Sequence, residues 1–498
     1  MDRRFQRLIL LGLLLMSVVL PTAPTSHAAV SQMRALWVDA FNSGIKTPQQ
    51  IEQLVADARR GGFNALIVQV RRRGDAFYLS GIEPRSQDPA LAPAPFDPLA
   101  TLISTAQAQG IELHAWIAVL PIWRESLGQP SDPSHVYWQH GPHVAGSDNW
   151  VALGVNGESS VDGDTWLDPG HPAVVNYTAA VVRDLLERYP NVNGLHLDLI
   201  RYPSPQFGYN PVSVARFNEQ FGRSGQPEPN DPLWKNWRRD QVTHLVRRIY
   251  LEAAQVAPYA RVSAAVTAMG KGPNQAGGWE NSDPYNIRLQ DWRYWLLEGI
   301  IDTAIVMNYD REHVADQYSW YRDWVGWETQ QAGRRSVVVG YGAWLNSNEG
   351  NRAQIAYALN AGAQGVAAYA YSSLANEGNR AQALDALAQH SFATPATMPS
   401  MPWKVETGRI VGDLAGLPGL TSFDNQEIFL SGPIERSLRS DGGGWFAATD
   451  LPAGWYRVTL RLPDDKQIEG GVEVRHDTTQ RVNWHLSAVY LPSVIQTS

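Results

Sequence analysis

Asn193-Gly194-Leu195-His196-Leu197-Asp198-Leu199-Ile200-Arg201-Tyr202-Pro203 is the run that decides the fold. Apolar residues alternate along it as far as a lone aspartate. A basic residue and an aromatic follow, and proline stops the strand. A buried parallel strand delivers a carboxylate to the mouth of a barrel in this way. An unpaired carboxylate in an apolar core is very costly, so Asp198 is expected to face a polar cleft.

Around this run, short apolar stretches alternate with amphipathic ones from Met33 to about Gln389. Strands are expected at Arg34–Ala40, Asn64–Val70, Glu112–Ala118, Gly194–Ile200, Arg261–Thr267, Ile301–Asn308, Ser336–Tyr341 and Gly365–Tyr369. Helical patterns follow each, at Pro48–Arg60, Asp97–Gln109, Pro172–Tyr189, Pro232–Val256, Pro284–Leu297, Val314–Ala332, Asn351–Ala361 and Asn379–Gln389. Several open at proline, which suits a first helical turn, and several end near glycine. Eight such units predict an α/β fold, a (β/α)8 TIM barrel over residues 33–390. A doubly wound open sheet would want a Gly-rich phosphate loop after strand one, and Asp39-Ala40-Phe41-Asn42 is nothing like one.

The rhythm breaks between Leu120 and Asp168, in an insert rich in Pro, Gly, His and Trp. Long insertions of this kind sit on the active face of barrels. Residues 391–408 read as a linker. Beyond it, short strand-like runs separated by Gly, Pro and Asp predict a small all-β sandwich over 409–487, followed by a loosely held tail at 488–498.

At 498 residues the chain is too long for one core. Its start reads as an export signal: Arg3, Arg4 and Arg7, an apolar run from Leu8 to Leu20, then Ser26-His27-Ala28, with cleavage expected after Ala28. Removing the leader takes the formal charge from −8 to −10, since it carries three Arg and one Asp. An acidic exported chain lacks the basic footprint of nucleic-acid binding. No later segment has transmembrane length. With no cysteine, disulfides and thiolate metal sites are excluded, and no cofactor motif is present. His135, His140 and His143 match no established metal spacing.

Several ordered segments resemble one bacterial family. They are Arg34-Ala35-Leu36-Trp37-Val38, Val70-Arg71-Arg72-Arg73-Gly74-Asp75-Ala76-Phe77-Tyr78 with Glu83-Pro84, Leu113-His114-Ala115-Trp116, Trp166-Leu167-Asp168-Pro169-Gly170-His171-Pro172, and Asp198-Leu199-Ile200-Arg201-Tyr202-Pro203. Together they resemble the glycosyl-hydrolase-like family 10. The resemblance implies a TIM barrel that hydrolyses polysaccharide, with cell-wall glycan a proposed substrate for some members. Two departures stand out. Leu199-Ile200 replaces a polar pair before Arg-Tyr-Pro, and Val306-Met307-Asn308-Tyr309-Asp310 replaces a Pro-Gln-x-Tyr motif. Separately, residues 441–456, ending in Leu451-Pro452-Ala453-Gly454-Trp455-Tyr456, resemble prealbumin-like or carboxypeptidase-regulatory-like modules.

Glycoside cleavage normally needs two carboxyl groups across the scissile bond. Asp198 is the first, with Arg201 placed to keep it ionised. Its partner must come from another strand end. Asp310, directly after strand six, is favoured, although a charge at the start of the following helix is an equal reading. Glu280, in the Gly-rich loop after strand five, is second. Asp39 is read either as a sugar ligand or as a brace of the barrel mouth, and Asp75 either as a substrate contact or as the closure of its own turn. His114 and Trp116 share a strand face, and His196 lies one layer below Asp198 as its orienting partner. Arg71 matches the family arginine and is expected to meet an acidic or N-acyl group. Tyr202, Tyr309, Tyr341, Trp344 and Tyr371 fall at or just past strand ends, where rings stack on sugars.

The resulting expectation is a secreted, periplasmic or envelope-associated monomeric glycoside hydrolase acting on a polysaccharide, peptidoglycan glycan strands included. The competing expectation is a glycan-binding or envelope scaffold protein with a degenerate barrel.

Overall fold

The computed structural model describes residues 29–420, 422–462 and 466–485. The leader read at 1–28 and the tail read at 488–498 lie outside them. Eight parallel strands close a barrel in sequence order: β1 (Met33–Val38), β2 (Ala65–Arg71), β3 (Glu112–Ala118), β4 (Gly194–Asp198), β5 (Arg261–Thr267), β6 (Thr303–Asn308), β7 (Ser336–Gly342) and β8 (Gly365–Tyr369). Each falls within a residue or two of its expected place at most ends, because alternation along a buried strand is a strong signal.

The outer helices are α1 (Pro48–Arg60), α2 (Pro98–Gln107), α3 (Pro172–Arg188), α4 (Pro232–Val256), α5 (Trp292–Glu298), α6 (Ala315–Glu328), α7 (Asn348–Asn360) and α8 (Arg380–Ala386). The first four open at proline behind a side-chain cap from Thr47, Asp97, His171 and Asp231 in turn. The helix expected at Pro284–Leu297 is two pieces. Leu289 turns the chain at φ 51°, and Asp291 caps α5 by accepting from Tyr294 N at 3.2 Å. A further helix, Pro211–Phe221, lies between β4 and α4, where no element was expected.

Met33, Ala35, Trp37, Ala65, Ile67, Trp116, Ile305, Val338 and Ala367 fill the barrel interior, so it is a packed core and not a channel. Gly340 makes room for Trp37: a Cβ there would lie 2.9 Å from the indole. The insert packs against the loop after β2, where Gly74 meets His135 and Val136, and carries a small antiparallel pair, Pro121–Arg124 with Asp164–Trp166.

At the opposite end, the segment read as a linker is fastened to the barrel floor. Ala396–Thr397 pairs with Val30–Ser31. Asp302, at the entry to β6, accepts from Trp403 Nε1 at 2.7 Å, Val262 N at 2.8 Å and Tyr250 Oη at 3.1 Å, and pairs with Lys404 at 3.0 Å.

The C-terminal strands form two sheets around a core of Ile410, Ile428, Leu430, Phe446, Tyr456, Val458 and Leu460. Gly408–Asp413 lies central in one, between Trp445–Leu451 and Thr479–Arg481. The other runs Arg436–Arg439, Glu427–Ser431, Gly454–Arg461, Gln467–Val474 and Asn483–His485, antiparallel throughout. The Leu-Pro-x-Gly-x-Tyr signature is a corner in which Tyr456 Oη donates back to Pro452 O at 3.2 Å. This module docks on the flank and floor of the barrel. Arg216 forks onto Asp424 at 2.7 Å through both bonds, Arg335 meets Asp450 at 2.8 Å, and Thr449 donates to Glu298 O at 2.6 Å.

Candidate active site

Strand β4 brings Asp198 to the mouth, where it keeps partial exposure. Trp116 Nε1 donates to its Oδ2 at 3.1 Å, and Leu199 N donates to its Oδ1 at 2.6 Å. To turn that amide back onto the carboxylate, Leu199 takes φ 52°, a conformation that strains a branched side chain. Burial raises the Asp198 pKa, opposed chiefly by Arg201 and then by the two hydrogen bonds. One layer below, His196 is fully buried. Trp37 Nε1 donates to its Nε2 at 3.1 Å, so Nδ1 carries the proton and donates to Ser263 Oγ at 2.9 Å. Burial, with His114 nearby, holds this imidazole well below its ordinary pKa, and it stays neutral. Both ring nitrogens are thus taken by Trp37 and Ser263, so His196 lies beneath the aspartate without bonding to it, and the orienting contact expected of it is not made.

Above His196 stands an aromatic wall. Tyr309 lies 5.3 Å from Trp344, 5.4 Å from Tyr369 and 6.4 Å from Trp37, measured between ring centroids. Trp116 lies 6.5 Å from Tyr369. The hydroxyl of Tyr309 is buried with no hydrogen-bond partner among the described residues. Burial pushes its pKa well up, with Tyr369 and Asp198 adding to the effect and Arg201 opposing it. Arg201 Nη1 is likewise buried and unpartnered among the described residues. Two carboxylates act on that guanidinium, Asp198 and then Asp283. Asp283 is partly buried in the loop after β5 and pairs with Arg288 at 3.3 Å. Burial raises its pKa, and Arg288 and Arg201 oppose the rise.

Asp283 escaped the sequence reading because it lies well past the strand end, in an irregular loop. The signal was present in Ser282-Asp283-Pro284, an acidic residue opening a short helix, with Arg288 one turn on. The reading took Glu280 from the same loop, but its side chain is exposed.

Asp310 is not brought to Asp198. Along β6, Met307 packs with the interior cluster and Asn308 points outward to Glu328 at 2.8 Å. Tyr309 faces the mouth, and Asp310 lies buried beside the outer helices, 7% exposed, its carbonyl accepting from Asn346 and Gln354 at 3.0 Å each. Its Oδ2 has no partner among the described residues, and burial lifts its pKa to about 7.

Other candidates are committed elsewhere. Arg71 is buried, forked onto Glu83 at 2.7–2.9 Å and bonded to Ala118 O and Val119 O, while Tyr177 also donates to Glu83 at 2.5 Å. No face of that guanidinium is left for substrate. Asp75 closes its loop through Arg73 N at 3.0 Å and Ser86 Oγ at 2.6 Å. Asp39 holds the first loop through Phe41 N at 3.0 Å, Asn42 N at 2.9 Å and Ser372 Oγ at 2.9 Å. His114 lies deep in the barrel and meets Glu112 at 3.0 Å, near the floor. Tyr202 donates to Asp168 at 2.7 Å and Tyr371 to Asp57 at 2.9 Å, both out of the mouth. Tyr341 faces outward under α7 and α8, because Gly340 occupies the inward position on its strand. The three insert histidines do not converge: His135 caps a helix, His140 stacks on Trp150 at 3.3 Å and His143 meets Trp138 O at 2.9 Å. Among the described residues no group of His, Asp and Glu could hold a metal ion, and no helix is long and apolar enough to cross a membrane.

The family model described as glycosyl hydrolase-like 10 matches residues 32–350. The chain is 25% identical to glycosyl hydrolase YngK of Bacillus subtilis, over 75% of this chain and 74% of that one. It is 24% identical to glycosyl hydrolase DigH of Escherichia coli, over 49% and 54% respectively. Among solved structures, the glycoside hydrolase domain of PgaB (BpsB) from Bordetella bronchiseptica aligns with TM-score 0.51 at 17% identity, covering 72% of this chain and 99% of that domain. The catalytic domain of β-amylase from Paenibacillus polymyxa aligns with TM-score 0.52 at 12% identity, covering 74% and 100%. At these identities the structural likeness speaks to the barrel alone.

Proposed function

This chain belongs to the glycosyl hydrolase-like 10 family, and from that premise we propose that it hydrolyses O-glycosidic bonds of a polysaccharide, with Asp198 as the central carboxylate. The observation that carries the reading is Asp198 itself: a strand-end carboxyl at the barrel mouth, its pKa raised by burial, beside a wall of aromatic rings. Such rings stack on the C–H faces of sugars. A raised carboxyl pKa suits proton transfer near neutral pH.

As the second carboxyl group this reading takes Asp283, whose charge, like that of Asp198, acts on Arg201. Arg201 opposes the rise in pKa of both carboxyls and so helps to keep one of them ionised. One carboxyl protonates the leaving oxygen while the other attacks the anomeric carbon or activates water. Tyr309 Oη, facing Asp198 and Arg201, is the group that donates to a sugar oxygen. The leader pattern and the family support export and a cell-envelope glycan, and peptidoglycan strands are the first substrate to test.

One observation favours a second reading. Among the described residues no second carboxyl group bonds to Asp198, whose oxygens meet Trp116 Nε1 and Leu199 N. A glycan-binding barrel without turnover has no need of such a partner. Incubating the mature protein with a glycan panel that includes peptidoglycan, beside Asp198→Asn and Asp283→Asn variants, separates the two. Product from the wild type and from neither variant is expected. Binding without product from any of the three would leave only the binding reading.

A further inference from the structure

The docking of the C-terminal module leaves one of its faces open. Its three-stranded sheet joins the barrel's own core cluster through Val411, Trp445 and Ala447. Its five-stranded sheet turns Tyr456, Val458 and Leu460 inward, so Trp455, Arg457 and Thr459 lie on the outer side. Trp455 is 61% exposed there.

This indole is seated. A Cβ on Gly471, on the neighbouring strand, would lie 2.4 Å from its Cζ2, 3.1 Å from its Cη2 and 3.2 Å from its Cε2. Gly471 has outward parity, between exposed Glu469 and Glu473, yet it is buried, because the six-membered ring leans across it. A strand glycine gives up a side chain where something must approach closely. Here it holds the ring against the sheet and leaves the far side of the ring to solvent.

The cross-strand register surrounds the ring with polar groups. Arg457, Gly471 and Asn483 form one row, and Thr459 and Glu469 belong to the next. Arg457, Glu469 and Asn483 are exposed, and among the described residues their side chains make no hydrogen bond or ion pair. Glu473, opposite Trp455, is answered by Arg475 at 2.6 Å. A groove of about 470 Å³ continues from Arg457 past Thr459 and Glu469 to Arg461.

The size and the edges of the patch choose its occupant. Its apolar part around Trp455 is a single ring, far short of the roughly 800 Å² per side that a stable protein interface takes. One ring is the counterpart of the C–H face of one pyranose. The uncommitted donors and acceptors beside it suit hydroxyl groups, and a groove leading away suits a chain of sugar units.

We propose that the outer face of the five-stranded sheet is a second glycan site, which takes a pyranose unit of a polysaccharide on Trp455, its hydroxyls on Arg457 and Asn483, and the following units along the groove. The inference takes its ligand class from the glycan reading of the barrel and goes beyond it to a site outside the barrel. Held by this face, the barrel stays on the polymer between encounters.

The test is retention of the full-length mature protein on three insoluble glycans: peptidoglycan stripped of stem peptides, chitin and cellulose. Every form carries Asp198→Asn, so that the polymer is not consumed. Adding Trp455→Ala is expected to weaken binding to at least one glycan about ten-fold, at unchanged melting temperature. Trp455→Tyr should restore part of the loss, and Gly471→Ala, which keeps the ring but unseats it, should weaken binding too. Retention of none of the forms, or equal retention with and without Trp455→Ala, overturns the site. Self-association that Trp455→Ala abolishes would make the ring a protein contact and would overturn it as well. Product release by protein with Asp198 intact, without any Trp455-dependent retention, would refute this site alone. Trp455-dependent retention without product would refute the hydrolase reading alone.

Discussion

The two ends of the barrel treat buried charge in opposite ways. At the floor, Asp302 has four partners, and its pKa is driven below the ordinary value because Lys404 and Arg335 outweigh the effect of burial. At the mouth, among the described residues, Asp198 has two hydrogen bonds, no contacting cation and a raised pKa, and it stands beside an unpartnered tyrosine hydroxyl and an unpartnered arginine nitrogen. The floor is a closed network, while the mouth is held in readiness for atoms the chain does not supply. The comparison teaches that burial alone does not mark a functional carboxylate. Among the described residues the missing partners at the mouth belong to the groups around the carboxylate, Tyr309 Oη and Arg201 Nη1, and not to the carboxylate itself.

The largest effect should come from Asp198→Asn. It should lower kcat/KM by about 10³-fold or more, the scale of a lost acid–base group, with melting temperature unchanged or raised. A variant that unfolds instead would make the mouth a second floor. Asp302→Asn should do the reverse. Stranding Lys404 should cost about 3–5 kcal/mol of stability, while kcat per folded molecule stays at the wild-type value in thermal-shift and burst-normalised assays.

Asp310 should behave as neither. Its folded pKa of about 7 exceeds an unfolded value near about 4, so the folded state holds the proton across that window. Stability therefore falls as pH rises through it. Asp310→Asn should raise stability at pH 8 by at most about 4 kcal/mol and change little at pH 4, in denaturant titrations at both pH values. The smallest effect is that of Tyr309→Phe. Removing an unsatisfied buried hydroxyl should leave stability equal or about 1 kcal/mol higher. Loss of its contact with substrate should slow kcat about ten-fold.

Much of the barrel could be read from the chain, because parallel strands buried on both faces announce themselves as apolar runs. Asp198 was readable because it both ends a strand and lies on its inward side, and Trp116 and His196 share that inward parity two residues before their strand ends. Proximity to a strand end decides reach, and parity decides direction. Tyr341 has the first without the second, since the glycines flanking it hold the inward positions, and Asp310 follows Asn308 outward for the same reason. Tyr371 and Tyr202 lie past bends that alternation does not describe. Arg71 looked available because nothing in sequence reveals that Glu83 and Tyr177 fold back to saturate it. Asp283 lay beyond any periodic signal, in a loop ordered by Gln290, which accepts from Thr267 N at 2.9 Å.

The fastening of the barrel floor has a consequence for heredity. Lys404 and Trp403 complete the shell of Asp302, and Asp450 answers Arg335, so the barrel keeps part of its own foundation in the chain that follows it. Such a pairing resists shuffling. A lineage that discarded everything after residue 395 would first have to replace Asp302 and Arg335 with uncharged residues, and a surviving barrel of that kind should carry those replacements as the scar of the loss.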